Sequence, residues 1–125
     1  MRLITLSFLI TLISTLVSSA IIKWEAFAIS QSKTYNLSDN RMYSSYSNEG
    51  IFLTDMGVRG EVECQGIVEI SGKKSVSNVM CKYIEENGDY NYTQFYNERG
   101  DIQEFGVQKF QFVYGTGRWE KLVGL

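Results

Sequence analysis

The chain has 125 residues, 12 basic and 14 acidic, with two cysteines, no histidine and no proline. A chain of this length holds one domain. Without histidine it supplies no Ser-His-Asp or Cys-His set and no imidazole metal ligand. At a net charge of −2, with Lys and Arg scattered, it has no basic patch for a phosphate backbone, and nucleic acid is not an expected partner.

The first 22 residues, MRLITLSFLITLISTLVSSAII, begin on Arg2 and continue as an apolar run broken only by Ser and Thr. A basic start, an apolar middle and small residues at the exit make a helical secretory signal peptide. Two exits fit. SSA directs a cut after Ala20, AFA a cut after Ala28, so the leader occupies at most residues 1–28. Either cut leaves a net charge of −3, because the longer leader removes one further base (Lys23) and one further acid (Glu25). The expected location is secreted or periplasmic, with no membrane contact once the leader is gone. The alternative is an uncleaved anchor: Leu3 to Ile22 is about 20 residues, enough to span a bilayer, although seven of them are Ser or Thr.

Residues 29–41, ISQSKTYNLSDNR, are polar and show no period, which predicts a flexible arm. The folded domain is then residues 42–125. Within it, GIFLTDMGVRG (50–60) predicts a strand from Ile51 to Thr54 and a glycine-punctuated turn.

The most regular pattern is EVECQGIVEISGKKSVSNVMCKYI (61–84). Val62, Cys64, Gly66, Val68 and Ile70 alternate with mainly acidic residues, as in a half-buried strand. With Gly72-Lys73 as the central residues of a type II′ turn, Ser71 closes with Lys74 and Cys64 falls opposite Cys81. That pair is at a non-hydrogen-bonded position, where Cα atoms approach to roughly 4.5 Å, within disulfide range. With an export signal, a Cys64–Cys81 disulfide is the expectation.

Asn87-Gly88 is a strong hairpin signal. A two-residue turn there would place Cys81 opposite Gln94, again at a non-hydrogen-bonded position. An inner-strand residue directs its backbone groups at only one neighbour, so both turns cannot be simple. Either Glu86-Asn87-Gly88 is a three-residue loop with Gly88 in a bulge, or the first turn is longer. The acids around it (Glu85, Glu86, Asp89) do not make a calcium loop, because Tyr83 and Gln94 stand where the first and last ligands belong. No metal ligand, cofactor-binding or catalytic residue is assigned.

Further on, Tyr90, Tyr92 and Tyr96 fall at even spacing. Phe110, Phe112 and Tyr114 share one face of the next predicted strand, and this aromatic stripe is expected in the core. Strands about every ten residues joined by turn residues predict an all-β antiparallel meander, closing into a small barrel. No helix is predicted after the leader.

The chain closes on GTGRWEKLVG (115–124). Gly115 and Gly117 suit a sharp corner with positive φ, and Trp119 and Leu122 could plug a barrel end. Glu120 stands where the third glycine of a phosphate-binding G-x-G-x-x-G would be. This motif, Gly115, Thr116, Gly117, Arg118, Trp119 and Gly124, resembles the corner near the end of allene oxide cyclase-like and dirigent-like barrels. Thr54-Asp55, Cys64 with Gly66, Cys81, and Gly88-Asp89 fit small exported bacterial members of that group, over residues 50 to 124. The resemblance implies a barrel and, by analogy, an isomerase or cyclase activity. In the resembled barrels a further strand follows this corner, so one expectation is an incomplete barrel that lacks its last strand.

Three functions follow as expectations: a non-catalytic exported module that binds a small apolar ligand or is purely structural, a cyclase-like enzyme, and an interaction protein using an open sheet edge. For the last, the chain from Lys33 to Tyr46 could pair weakly with that edge, and the expectation is either an open, marginally stable barrel or a homodimer formed through the edge.

Overall fold

The computed structural model describes residues 23–101 and 108–125. The leader region read from residues 1–22 lies outside the described residues. Six antiparallel strands form one sheet in chain order: β1 (Trp24–Ser38), β2 (Arg41–Thr54), β3 (Arg59–Ser71), β4 (Lys74–Glu85), β5 (Tyr90–Asp101) and β6 (Lys109–Gly115). A 3-10 helix, Gly117–Leu122, follows. The all-β meander is as expected; the helix is an addition to it, and the sheet does not close. β1 and β6 are its two ends.

Side chains alternate between two faces. The inner face carries Phe52, Val62, Cys64, Val79, Cys81, Tyr83 and Phe112, with Trp119 packed onto it. The sheet curls at one end, since the Trp24 ring of β1 lies 6.4 Å from Phe112 of β6 and 6.3 Å from Trp119. Small inner positions permit that curvature: a Cβ at Gly50 would strike the backbone of Phe27 and Ala28, and one at Gly60 that of Ile84.

Residues 29–41 are not an arm. They form most of β1, paired in register from Trp24:Thr54 to Asn36:Met42, and then the turn into β2. Their polarity has a different cause: β1 is an edge strand exposed to water on both faces for nearly its whole length, and such a strand has no face that needs to be uniformly apolar.

The cysteine hairpin has the expected register, from Ser71:Lys74 through Cys64:Cys81 to Gly60:Glu85. The disulfide joins β3 and β4 with a Cα–Cα distance of 4.1 Å. The conflict at the next turn resolves as the three-residue loop. Glu85 N–H donates to Asp89 O at 2.7 Å, Gly88 takes φ +89, and Cys81 faces Thr93 rather than Gln94. A bulge between Tyr92 and Thr93 in the β5–β6 ladder then sets Phe112 opposite Thr93 but Tyr114 opposite Tyr92. The extra residue, Val113, moves Tyr114 to the other face from Phe110 and Phe112. The expected single stripe is therefore split.

Candidate functional site

The GTG corner is built from contacts with the β4–β5 turn. Thr116 N–H donates to Tyr90 O at 2.9 Å, Tyr90 N–H donates to Thr116 Oγ1 at 3.0 Å, and the Thr116 hydroxyl donates to Asp89 Oδ1 at 3.1 Å. Gly117 has φ +57, and a Cβ there would run into the Asp89 carboxylate. A Cβ on Gly115 would lie 2.5 Å from that of Trp119. Only Gly117 takes the expected positive φ; Gly115 does not, and its missing side chain instead admits Trp119.

What it holds is Trp119, 1% exposed. Its Nε1–H donates to Glu85 Oε2 at 3.0 Å, while Arg118 Nε lies 3.3 Å from Glu85 Oε1. Leu122 packs against the same core. Leu122 to Leu125 then make a type II turn: Leu125 N–H bonds Leu122 O at 3.0 Å, Val123 has φ −58 and ψ 129, and Gly124 has φ +89. Gly124 N–H donates to Phe112 O at 2.9 Å and Phe112 N–H to Leu125 O at 3.0 Å, a glycine bulge that lays the last residues along the outer edge of β6.

Glu85 and Trp24 are the residues that reading the sequence missed. Glu85 stands in step with Val79, Cys81 and Tyr83, so the two-residue period alone puts its carboxylate inside; it is 6% exposed. Trp24 stands within one of the two candidate leaders, yet its ring lies 4.7 Å from Tyr83. The turn acids do not converge: Glu85 faces inward, Glu86 pairs with Arg59 at 2.9 Å, and Asp89 is held by Asn87 and Thr116. Among the described residues no group of acids or cysteines could hold a metal ion.

The inner face is apolar near the corner and polar toward the other end, where Ser75, Ser77, Asn97 and Gln108 bond one another. Asn48 Oδ1 and Asn91 Nδ2, on the inner face, are buried without a hydrogen-bond partner among the described residues. Burial pushes Tyr83 up to about 12, with Tyr46 a second cause, and burial also raises Tyr46. An unfolded tyrosine ionises near pH 10. Between pH 10 and about 12 the unfolded chain loses a proton that folded Tyr83 keeps. The stability contribution is therefore whole below pH 10 and falls by at most about 1.4 kcal/mol per pH unit above it. Tyr83→Phe is expected to flatten the dependence of the urea midpoint on pH over this window; an unchanged slope would place the titration elsewhere.

On the outer face Lys82 Nζ lies 5.1 Å from the Tyr90 ring and 5.8 Å from Tyr92. Tyr114 joins them at 5.9 Å from Tyr90, and its hydrogen bond with Tyr90 raises its pKa. A depression of about 600 Å³ on the same face is lined by Ile29, Gln31, Ile51 and three carboxylates, Glu49, Glu61 and Glu63. That lining does not suit a small apolar ligand, since burying an unpaired carboxylate is costly.

A disulfide belongs to an oxidising, extracellular-type setting, and no described helix is long and apolar enough to cross a membrane. No family model matches this chain, and no curated protein or solved structure matches it either.

Proposed function

We propose that this is an exported, non-catalytic β module that acts through an open edge of its sheet. The observation that carries this reading is β1, an edge strand of 15 residues without proline, exposed almost throughout. Long unpaired edges present a row of N–H and C=O groups that recruits another strand. The far edge is less available, because Gly124 and Leu125 occupy the backbone groups of Phe112 in β6.

Two other observations support it. The carboxylate of Glu85, on the inner face two residues from Tyr83, has both oxygens engaged by Trp119 and Arg118, which disfavours the cyclase activity implied by the resemblance to allene oxide cyclase-like barrels. The inner face near the corner is filled by the rings of Trp24, Phe52, Tyr83, Phe112 and Trp119, leaving little room there for a ligand. Export by the N-terminal leader is part of the reading, with the cut after Ala20. A cut after Ala28 would remove Trp24 and its ring contacts with Tyr83, Phe52 and Phe112.

Hydrogen exchange on the protein recovered from its native extracellular or periplasmic fraction, read by mass spectrometry, tests both parts. The expected product begins at Ile21 and shows slow exchange at Ala26, Ala28, Ser30 and Ser32. Fast exchange at all four, as for a free edge, would sink the edge reading.

A further inference from the structure

The edge of β1 that lacks a neighbouring strand among the described residues has a definite polarity. Asp55 N–H donates to Lys23 O at 3.0 Å, one step beyond the Trp24:Thr54 pair. In an antiparallel ladder hydrogen-bonded and non-hydrogen-bonded pairs alternate. Odd-numbered residues of β1 therefore exchange bonds with β2, up to the irregularity after Asn36. Even-numbered ones, from Trp24 to Asn36, aim their N–H and C=O away from the sheet. Any strand added here must pair its own outward-aimed residues with these.

The odd residues form the outer face of β1: Glu25, Phe27, Ile29, Gln31, Lys33 and Tyr35. Phe27 and Ile29 are 71% and 80% exposed. The two charges lie four residues either side of Ile29 and have opposite sign. Neither forms a salt bridge among the described residues; the Lys33 ammonium lies 5.3 Å from the Tyr35 ring.

We propose that β1 is a self-pairing edge, and that the partner is β1 of a second copy, antiparallel, with the two-fold axis at Ile29. This rests on the reading that the edge is where the protein acts. In that register Ala28 exchanges hydrogen bonds with Ser30 of the second copy and Ala26 with Ser32, all outward-aimed residues. Ile29 meets Ile29 at a non-hydrogen-bonded position, where side chains approach closest. Glu25 falls opposite Lys33 of the second copy and Lys33 opposite its Glu25, two attractive cross-strand pairs per dimer. Phe27 covers the stem of Gln31. The inner-face pairs, Ala with Ser, are small and introduce no clash.

Neighbouring two-fold registers lose this match. An axis at Ala28 sets Lys33 against Lys23 of the other copy, a like-charge pair that opposes association. An axis at Ser30 sets Glu25 against Tyr35 and leaves both charges without a counterpart. A lone charge on an edge strand ordinarily deters pairing; here the same charges select one register and one partner.

Sedimentation equilibrium of the leader-free protein over a wide concentration range tests this. The wild type is expected to be a dimer that dissociates on dilution. Lys33→Glu and Glu25→Lys are each expected to weaken it about tenfold or more, because both pairs turn from attraction to repulsion. The double variant E25K/K33E is expected to regain wild-type association. Ile29→Cys should cross-link under mild oxidation, and Phe27→Cys should not, since only Ile29 meets its own copy. These sites are exposed, so each variant should keep the wild-type near-UV circular dichroism. A wild type that stays monomeric, or charge reversals the double variant does not rescue, would overturn self-pairing. If β1 amides of the natively recovered protein were still protected, the edge reading would survive with another partner; if they exchanged freely, both would fall.

Discussion

Trp119→Ala is expected to lower the unfolding free energy by about 3–5 kcal/mol, the range for truncating a large aromatic side chain in a core. Trp119 is 1% exposed and packs at 6.0 Å from Phe112 and 6.3 Å from Trp24, so its loss opens a cavity that the curled sheet cannot readily fill. It also removes the donor to Glu85, leaving a buried carboxylate with Arg118 as its remaining partner. Trp119→Phe keeps one aromatic ring in the core while removing the Nε1–H and part of the indole, for a smaller loss of about 1–3 kcal/mol. Urea unfolding followed by far-UV circular dichroism measures both. An alanine variant with the wild-type midpoint would mean that the corner does not seat the indole against the sheet.

Replacing both cysteines, Cys64→Ala with Cys81→Ala, is expected to remove about 3 kcal/mol, the chain-entropy contribution of a bridge closing a loop of this size. The two residues are 17 apart in sequence, and in a chain of this length that contribution is a sizeable part of the total stability. Much of it acts on the unfolded chain, so the double variant should also show a steeper denaturant dependence, as its unfolded state exposes more surface. Both sulfurs are buried, so slow reduction under native conditions and no reactive thiol in the denatured, unreduced protein are expected as well. Two thiols that label without reductant would show that the bridge does not form.

The cysteine register was legible in the sequence because a hairpin is local. If the Gly72-Lys73 turn has two residues, the two-residue side-chain period sets Cys64 against Cys81 without any distant part of the chain; the conflict with the Asn87-Gly88 turn was what the sequence left open. The inward face of Glu85 follows from the same period, once β4 is carried two residues past Tyr83. The components of the corner could also be read, since Gly115, Gly117 and Trp119 have few uses together at a chain reversal.

Other features depended on contacts between parts remote in sequence. Residues 29–41 carry no hydrophobic period, and what orders them is their pairing with β2 and the anchoring of Trp24 among rings from β2, β4 and β6. No local pattern encodes that. Tyr114 changed face because of one bulge residue, and a bulge shifts every later side chain without altering the pattern before it. Whether the meander closes is likewise a property of the whole sheet. Its curvature accumulates over six strands at places such as Gly50 and Gly60, and only their sum decides how near β1 comes to β6. By itself the sequence determined the strands of the cysteine hairpin and, for a two-residue turn at Gly72-Lys73, the pairing of Cys64 with Cys81, because those are set by neighbours along the chain. That this turn is the short one and the next a three-residue loop was decided by the structure. The open edge, the core position of Trp24 and the outward aim of alternate β1 backbone groups were decided by the tertiary structure, because each requires knowing which strand lies beside β1 and which does not.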